Sequence, residues 1–311
     1  MTDQDSKCNT HGLSRDIPNP IKREIRQRCG FGCVCCGSAI YQYEHVDPPF
    51  TEAMAHKPDK IALLCGRCHD CVTKGLWSKD KVKDGMQAPK CLEDGFSFGA
   101  FDVGPAWPQV VLGDAHCRET RAILVVYGER LLEVEPPEVA SAPFRLSGRF
   151  YGEDGGLIFE IVRNEWRGPI SNWDVELSGP RITIRSGPRR IALMIRVDPP
   201  NKLVVERVDM RCQGVGVVGG ESGVAVVMPN GQEITLTKCT LGPGEWGVRV
   251  EKGVVKLGSV GDGRNGALNI KTRGVGIVFE NIAFGHNTIS ARPGNGEGKK
   301  RQGKEDDAAR T

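Results

Sequence analysis

Four cysteines fall into two short pairs, Cys33-x-x-Cys36 and Cys65-x-x-Cys68, with Glu44-His45 between the pairs and His69 directly after the second. Two thiolate pairs about thirty residues apart suit one tetrahedral Zn²⁺ ion. Each pair fits a tight turn whose backbone N–H groups face sulfur, and Gly37 and Gly66 stand where such turns want a small residue. Cys29, Cys35 and Cys71 leave the ligand set open, because Cys68-x-x-Cys71 is also a legitimate spacing. The outer pairs are favoured because each has a comparable strand-turn context. Two histidines beside the clip suggest a second, catalytic metal centre.

The rest of the composition is that of an ordinary folded chain. Of 12 cysteines in 311 residues, nine lie within the first 91. With no secretory n-region or h-region legible, this crowding reads as metal ligation in a reducing, cytoplasmic setting rather than as a disulfide framework. Cys117, Cys212 and Cys239 are scattered and read as buried thiols. No apolar run approaches the roughly twenty residues of a membrane-spanning helix, so no membrane partner is expected. The net charge of +3 is too close to neutral to argue for nucleic acid alone. Its distribution says slightly more: Lys22, Arg23, Arg26 and Arg28 precede the first pair, and Lys74, Lys79, Lys81 and Lys83 follow the second. A solvated face accounts for such charges as well.

The elements that must position these residues divide the chain by texture. Residues 1–20 read as a flexible arm, 21–90 as a zinc module opening on a short basic helix at 21–28, and 91–120 as a Gly/Pro-marked connector. From 121 to 210, short β-branched runs alternate with turn formers, and Arg181-Ile182-Thr183-Ile184-Arg185 alternates with period two. The expected fold is mainly β with a small α+β head, followed by an antiparallel sandwich or barrel. Residues 211–290 are rich in glycine and valine and resemble rungs of a β-helix or solenoid, with a continuing meander as the alternative. The tail, 291–311, has no apolar content and is expected to be disordered. Between 164 and 174, two tryptophans with charged neighbours are either a recognition surface or anchors of a small β core.

Read together, Cys33-x-x-Cys36-Gly37, Tyr43-Glu44-His45-Val46-Asp47-Pro48 and Ile61-Ala62-Leu63-Leu64-Cys65-x-x-Cys68-His69, with Lys74, resemble the zinc-knuckle branch of the HNH endonucleases. The resemblance covers about residues 28–80. It implies a ββα-metal head in which Zn²⁺ clamps the ends while a hairpin and a helix hold one divalent ion. Carried over, it implies His45 as general base on water attacking a DNA phosphodiester, and Glu44 and His69 as ligands of Mg²⁺ or another divalent metal. A helix starting near His69 would bring Lys74 to phosphate, with Arg26 and Arg28 as further nucleic-acid contacts. Lys60 stands where the family carries an asparagine, so either Asp59 or His56 would orient the base. The β-rich half would serve recognition, regulation or homo-oligomer assembly. The competing expectation is a non-catalytic, zinc-stabilised protein that binds DNA or protein and assembles through a β-solenoid.

Overall fold

Two prolines open the first helix: Pro18 precedes it and Pro20 lies in its first turn, where a missing N–H costs nothing. The computed structural model describes residues 8–262, 269–273 and 276–282. The tail at 291–311 and His286 therefore lie outside the described residues. Helix α1 (Asn19–Arg28) turns Ile21 and Ile25, one turn apart, into a small core and carries Arg26 and Arg28 in its last turn, where cations suit the helix dipole. After it, strands β1 (Gln42–His45) and β2 (Ile61–Leu64) pair antiparallel, with His45 opposite Ile61 and Glu44 opposite Ala62. All four β2 residues are buried. Helix α2 (Gly66–Thr73) follows β2 directly, and α3 (Lys79–Gln87) and α4 (Lys90–Asp94) complete the head. Ile17, Ile25, Val34, Val46, Ile61, Leu63, Leu64 and Val82 fill a core of its own.

Part of the expected flexible arm is packed. The Asn9 amide donates to the carbonyls of Phe50 and Ala53, both at 2.6 Å, and its Oδ1 accepts from the N–H groups of His11 and Leu13. One polar side chain thus ties residues 9–13 to the long loop between β1 and β2. The expected connector also does more than connect. It supplies β3 (Phe96–Ala100), β4 (Gln109–Leu112) and β5 (Ala115–Cys117), and Phe101, Val110, Leu112 and Cys117 join the main core.

The body is a β structure, as expected. Five strands within 120–169 form one antiparallel meander, and seven within 174–237 form another. Three successive strands stitch the body together by parallel pairing with distant partners. Strand β4 pairs with Lys202–Cys212, β5 with Cys239–Leu241, and Thr120–Val126 with Gly244–Glu251. Among the described residues, β3 and the strand Asp174–Ser178 each have one ladder partner, so the pairings form a branched, open network. Its inward residues, from Phe101 to Leu257, share one core.

The glycine- and valine-rich strands Val215–Gly220 and Gly223–Val227 pair as an antiparallel hairpin, and Glu233–Thr237 pairs antiparallel with the second of them. They are therefore not stacked β-helix rungs: chain reversal after each strand puts neighbours in sequence side by side. Of the two tryptophans, Trp166 is 2 % exposed and lies between Phe101 and Phe159, whereas Trp173 is half-buried beneath the Arg23 guanidinium. No helix among the described residues is long and apolar enough to cross a membrane.

Candidate metal centre and adjoining cleft

The two cysteine pairs meet because β2 reaches both. Val34 donates its N–H to the Leu63 carbonyl at 2.9 Å, which places the first turn beside the strand that runs into Cys65. Gly37, at φ 82°, closes the first turn and donates to the Cys33 carbonyl at 2.8 Å. In the second, Cys65 is the N-cap of α2 and its sulfur accepts the Cys68 N–H at 3.4 Å. The sulfurs of Cys33, Cys36, Cys65 and Cys68 all lie within 4.8 Å of one another. A tetrahedral ion with Zn–S bonds near 2.3 Å spaces its sulfurs by about 3.8 Å. Cys36 and Cys65 stand 3.6 Å apart. The four thiols are positioned to bind one metal ion, and the set suits structural zinc.

Crowding also governs their protonation. Hydrogen bonds from the Cys35 and Cys36 thiols hold Cys33 well below the usual thiol range, and Cys36 is pushed up by the bond it gives to Cys33 and then by burial. Burial, followed by the Cys65 thiol, pushes Cys68 up to about 12. Burial and crowding thus oppose ionising Cys33, Cys36 and Cys68 together, and a bound cation would offset that cost. The other cysteines have different roles: Cys29 is fully buried, and Cys91 donates to the Gly37 carbonyl from beneath the first turn.

Beside this clip lies a cleft of about 310 Å³ lined by Glu44, His45, His69, Thr73 and Lys79. Antiparallel β1 and the start of α2 bring Glu44 Oε2 and His69 Nε2 to 3.4 Å. His45 is 7 % exposed, tilts against the Phe50 ring, and shares a 3.1 Å hydrogen bond between its Nε2 and His56 Nδ1. Burial, and then the nearby His56, push the His45 pKa down, so its neutral form is favoured. Sequence neighbours therefore part company: Glu44 meets His69, while His45 meets His56.

No protein-family model, curated protein or solved structure matches the chain. The reading rests on the chain's own residues.

The remaining candidates are placed as follows. Asp59 lies in the 3-10 turn Pro58–Lys60 and is 67 % exposed in its side chain, with Lys60 at 3.8 Å as its ion-pair partner. Of the two residues expected to orient His45, His56 is the one beside it. Lys74 caps the end of α2, is 70 % exposed and faces Asp70 at 3.7 Å. Arg28 donates to the Ile61 carbonyl and so braces β2. Arg26 is 2 % exposed and fully engaged with Asp174, Glu176 and Tyr43, which removes it from any nucleic-acid surface. Its helix packs that face against the body. Thr73, expected one turn of helix beyond His69 on the same face, lines the cleft, as does Lys79, which was not among the expected site residues.

Proposed function

We propose that the head is a metal-dependent endonuclease of HNH type that hydrolyses DNA phosphodiester bonds, with the β-rich body serving recognition, assembly or regulation. The observation that carries this reading is the convergence of Glu44, His45 and His69 on one cleft next to the four-thiol clip. The hairpin-then-helix order that carries them is the order the resemblance implies.

In this mechanism Glu44 and His69 offer one carboxylate oxygen and one imidazole nitrogen, 3.4 Å apart, to Mg²⁺ or another divalent ion. When bound, that ion supplies charge neutralisation at the scissile phosphate. His45 acts as the base. With Nε2 bonded to His56, Nδ1 is the nitrogen left to accept a proton from water. Its depressed pKa keeps it unprotonated at neutral pH. The His56 contact fixes the ring against rotation, the task that Lys60 at the asparagine position does not perform.

A plasmid-nicking assay with Mg²⁺, Mn²⁺ or Ni²⁺ tests the proposal. Wild type is expected to nick and His45→Ala to lose nearly all of the rate. Nicking unchanged by His45→Ala overturns the role of His45; no nicking with any of the metals overturns the enzyme. Lys60 favours a second reading, a non-catalytic zinc module that docks on DNA or protein, and binding without cleavage is its signature.

A further inference from the structure

We infer that a second cleft, on the opposite side of Glu44 and His45, is a binding subsite for nucleic-acid backbone phosphate and that Arg15 is its phosphate contact. The inference rests on the nuclease reading above and extends it to a path for the substrate.

Glu44 and His45 line two clefts of similar size. One, of about 310 Å³, is bounded by α2 and α3 and presents Lys79. The other, of about 300 Å³, is bounded by the chain leading into α1 and presents Arg15, Lys22 and Phe50. Two of the three residues assigned to the chemistry, Glu44 and His45, therefore stand in a shared wall with a basic group on either flank. A strand of nucleic acid has that form, with phosphates on both sides of the bond to be cut.

The cations on the second flank are not equivalent. Lys22 is tied to Asp16 at 2.9 Å. Arg15 lies over the Phe50 ring at 4.9 Å, and among the described residues no carboxylate comes within ion-pair distance of it. Lys79 on the first flank is likewise without an ion pair there. An unneutralised guanidinium in a concavity raises the local concentration of anions, and its planar fork matches phosphate oxygens. Arg15 is exposed, with the Phe50 ring beneath its guanidinium. Phe50 orients the guanidinium, and Asn9 pins the preceding segment to the carbonyls of Phe50 and Ala53.

Binding of a labelled DNA duplex, measured by fluorescence anisotropy over a series of salt concentrations in a His45→Ala full-length background, tests the inference. Adding Arg15→Ala is expected to weaken binding roughly tenfold at low salt and to reduce the slope of log K against log salt by about 0.9, the signature of one lost phosphate contact. Arg15→Lys should restore the slope. The thermal midpoint and zinc content should stay at parental values; if Arg15→Ala fails this control, Arg15→Gln takes its place. Parental binding with an unchanged slope in the Arg15 variant overturns the subsite and leaves the nuclease reading standing. Failure of the parent to bind, together with failure of wild type to nick, overturns both.

Discussion

Arg26 and Asp174 grip each other through two hydrogen bonds of 2.8 Å across 148 residues of chain. Both are buried, at 2 % and 0 % exposure. Arg185 reaches the same carboxylate at 2.9 Å and Glu176 at 2.9 Å. Arg26 also donates to the Tyr43 hydroxyl at 3.0 Å, so the charge cluster touches the strand that presents Glu44 and His45. Burial is the strongest single influence on Arg26 and opposes its charge, but the bond to Asp174 and the charges of Tyr43, Asp174 and Tyr41 together outweigh it, and the guanidinium pKa is raised.

Asp174→Ala is expected to destabilise the protein by about 3–5 kcal/mol, because it strands buried cations without a counter-charge. Replacing Arg26 and Asp174 together by Met and Leu should cost less than the sum of the two single changes. Urea unfolding of the four proteins measures this, and additive losses would contradict the coupling.

Zinc content should be about one ion per chain and should depend on particular thiols. Cys65→Ser or Cys33→Ser loses the ion, while Cys71→Ser and Cys91→Ser keep it. Elemental analysis after gel filtration reads the difference. A strong chelator should lower the unfolding temperature of wild type and have little effect on Cys65→Ser.

His56→Ala should lower kcat by about tenfold or more while leaving KM near its wild-type value, since the ring positions His45 and does not touch substrate. Asp59→Ala should leave kcat unchanged because that carboxylate faces solvent and Lys60. The reverse pattern would return the positioning role to Asp59.

Stability should show two pH limbs traceable to Tyr151 and Glu129, whose hydroxyl and carboxylate are 2.6 Å apart. The Tyr151 bond holds Glu129 below its ordinary 4.5, so this contribution is present above about pH 4.5 and is lost as the pH falls. Burial, and then Glu129, raise Tyr151 from 10.0 to about 12, so its contribution is present below pH 10.0 and is lost as the pH rises toward 12. Tyr151→Phe should cost about 1 kcal/mol between the limbs, a modest figure because water screens the pair, and less at either end. A cost independent of pH would contradict the assignment.

The clip was legible because its ligands are paired by local spacing: two residues between cysteines are enough to turn the chain back on one ion. That Glu44, His45 and His69 would lie near one another was legible for the same reason, since a hairpin and the helix after it set their neighbourhood. Arg26 was not, because nothing in a basic helix reveals that the partner of one arginine lies 148 residues away. Arg15 escaped notice in a segment without apolar periodicity, where a single asparagine supplies the order. Strands were readable from their alternation, but alternation is the same in parallel and antiparallel ladders. The hairpins at 215–237 therefore looked like rungs, and Gly/Pro punctuation between 91 and 120 marked turns between short strands as readily as a linker.

Strand β2 is shared property. Its Leu63 carbonyl holds the first cysteine turn, its end delivers Cys65, and its Ile61 stands opposite His45. Occupancy of the thiolates and the shape of the cleft are therefore linked quantities, and linkage runs in both directions. Depleting zinc acts on the hairpin without touching any residue of the cleft, and a ligand that tightens the hairpin makes the metal harder to remove.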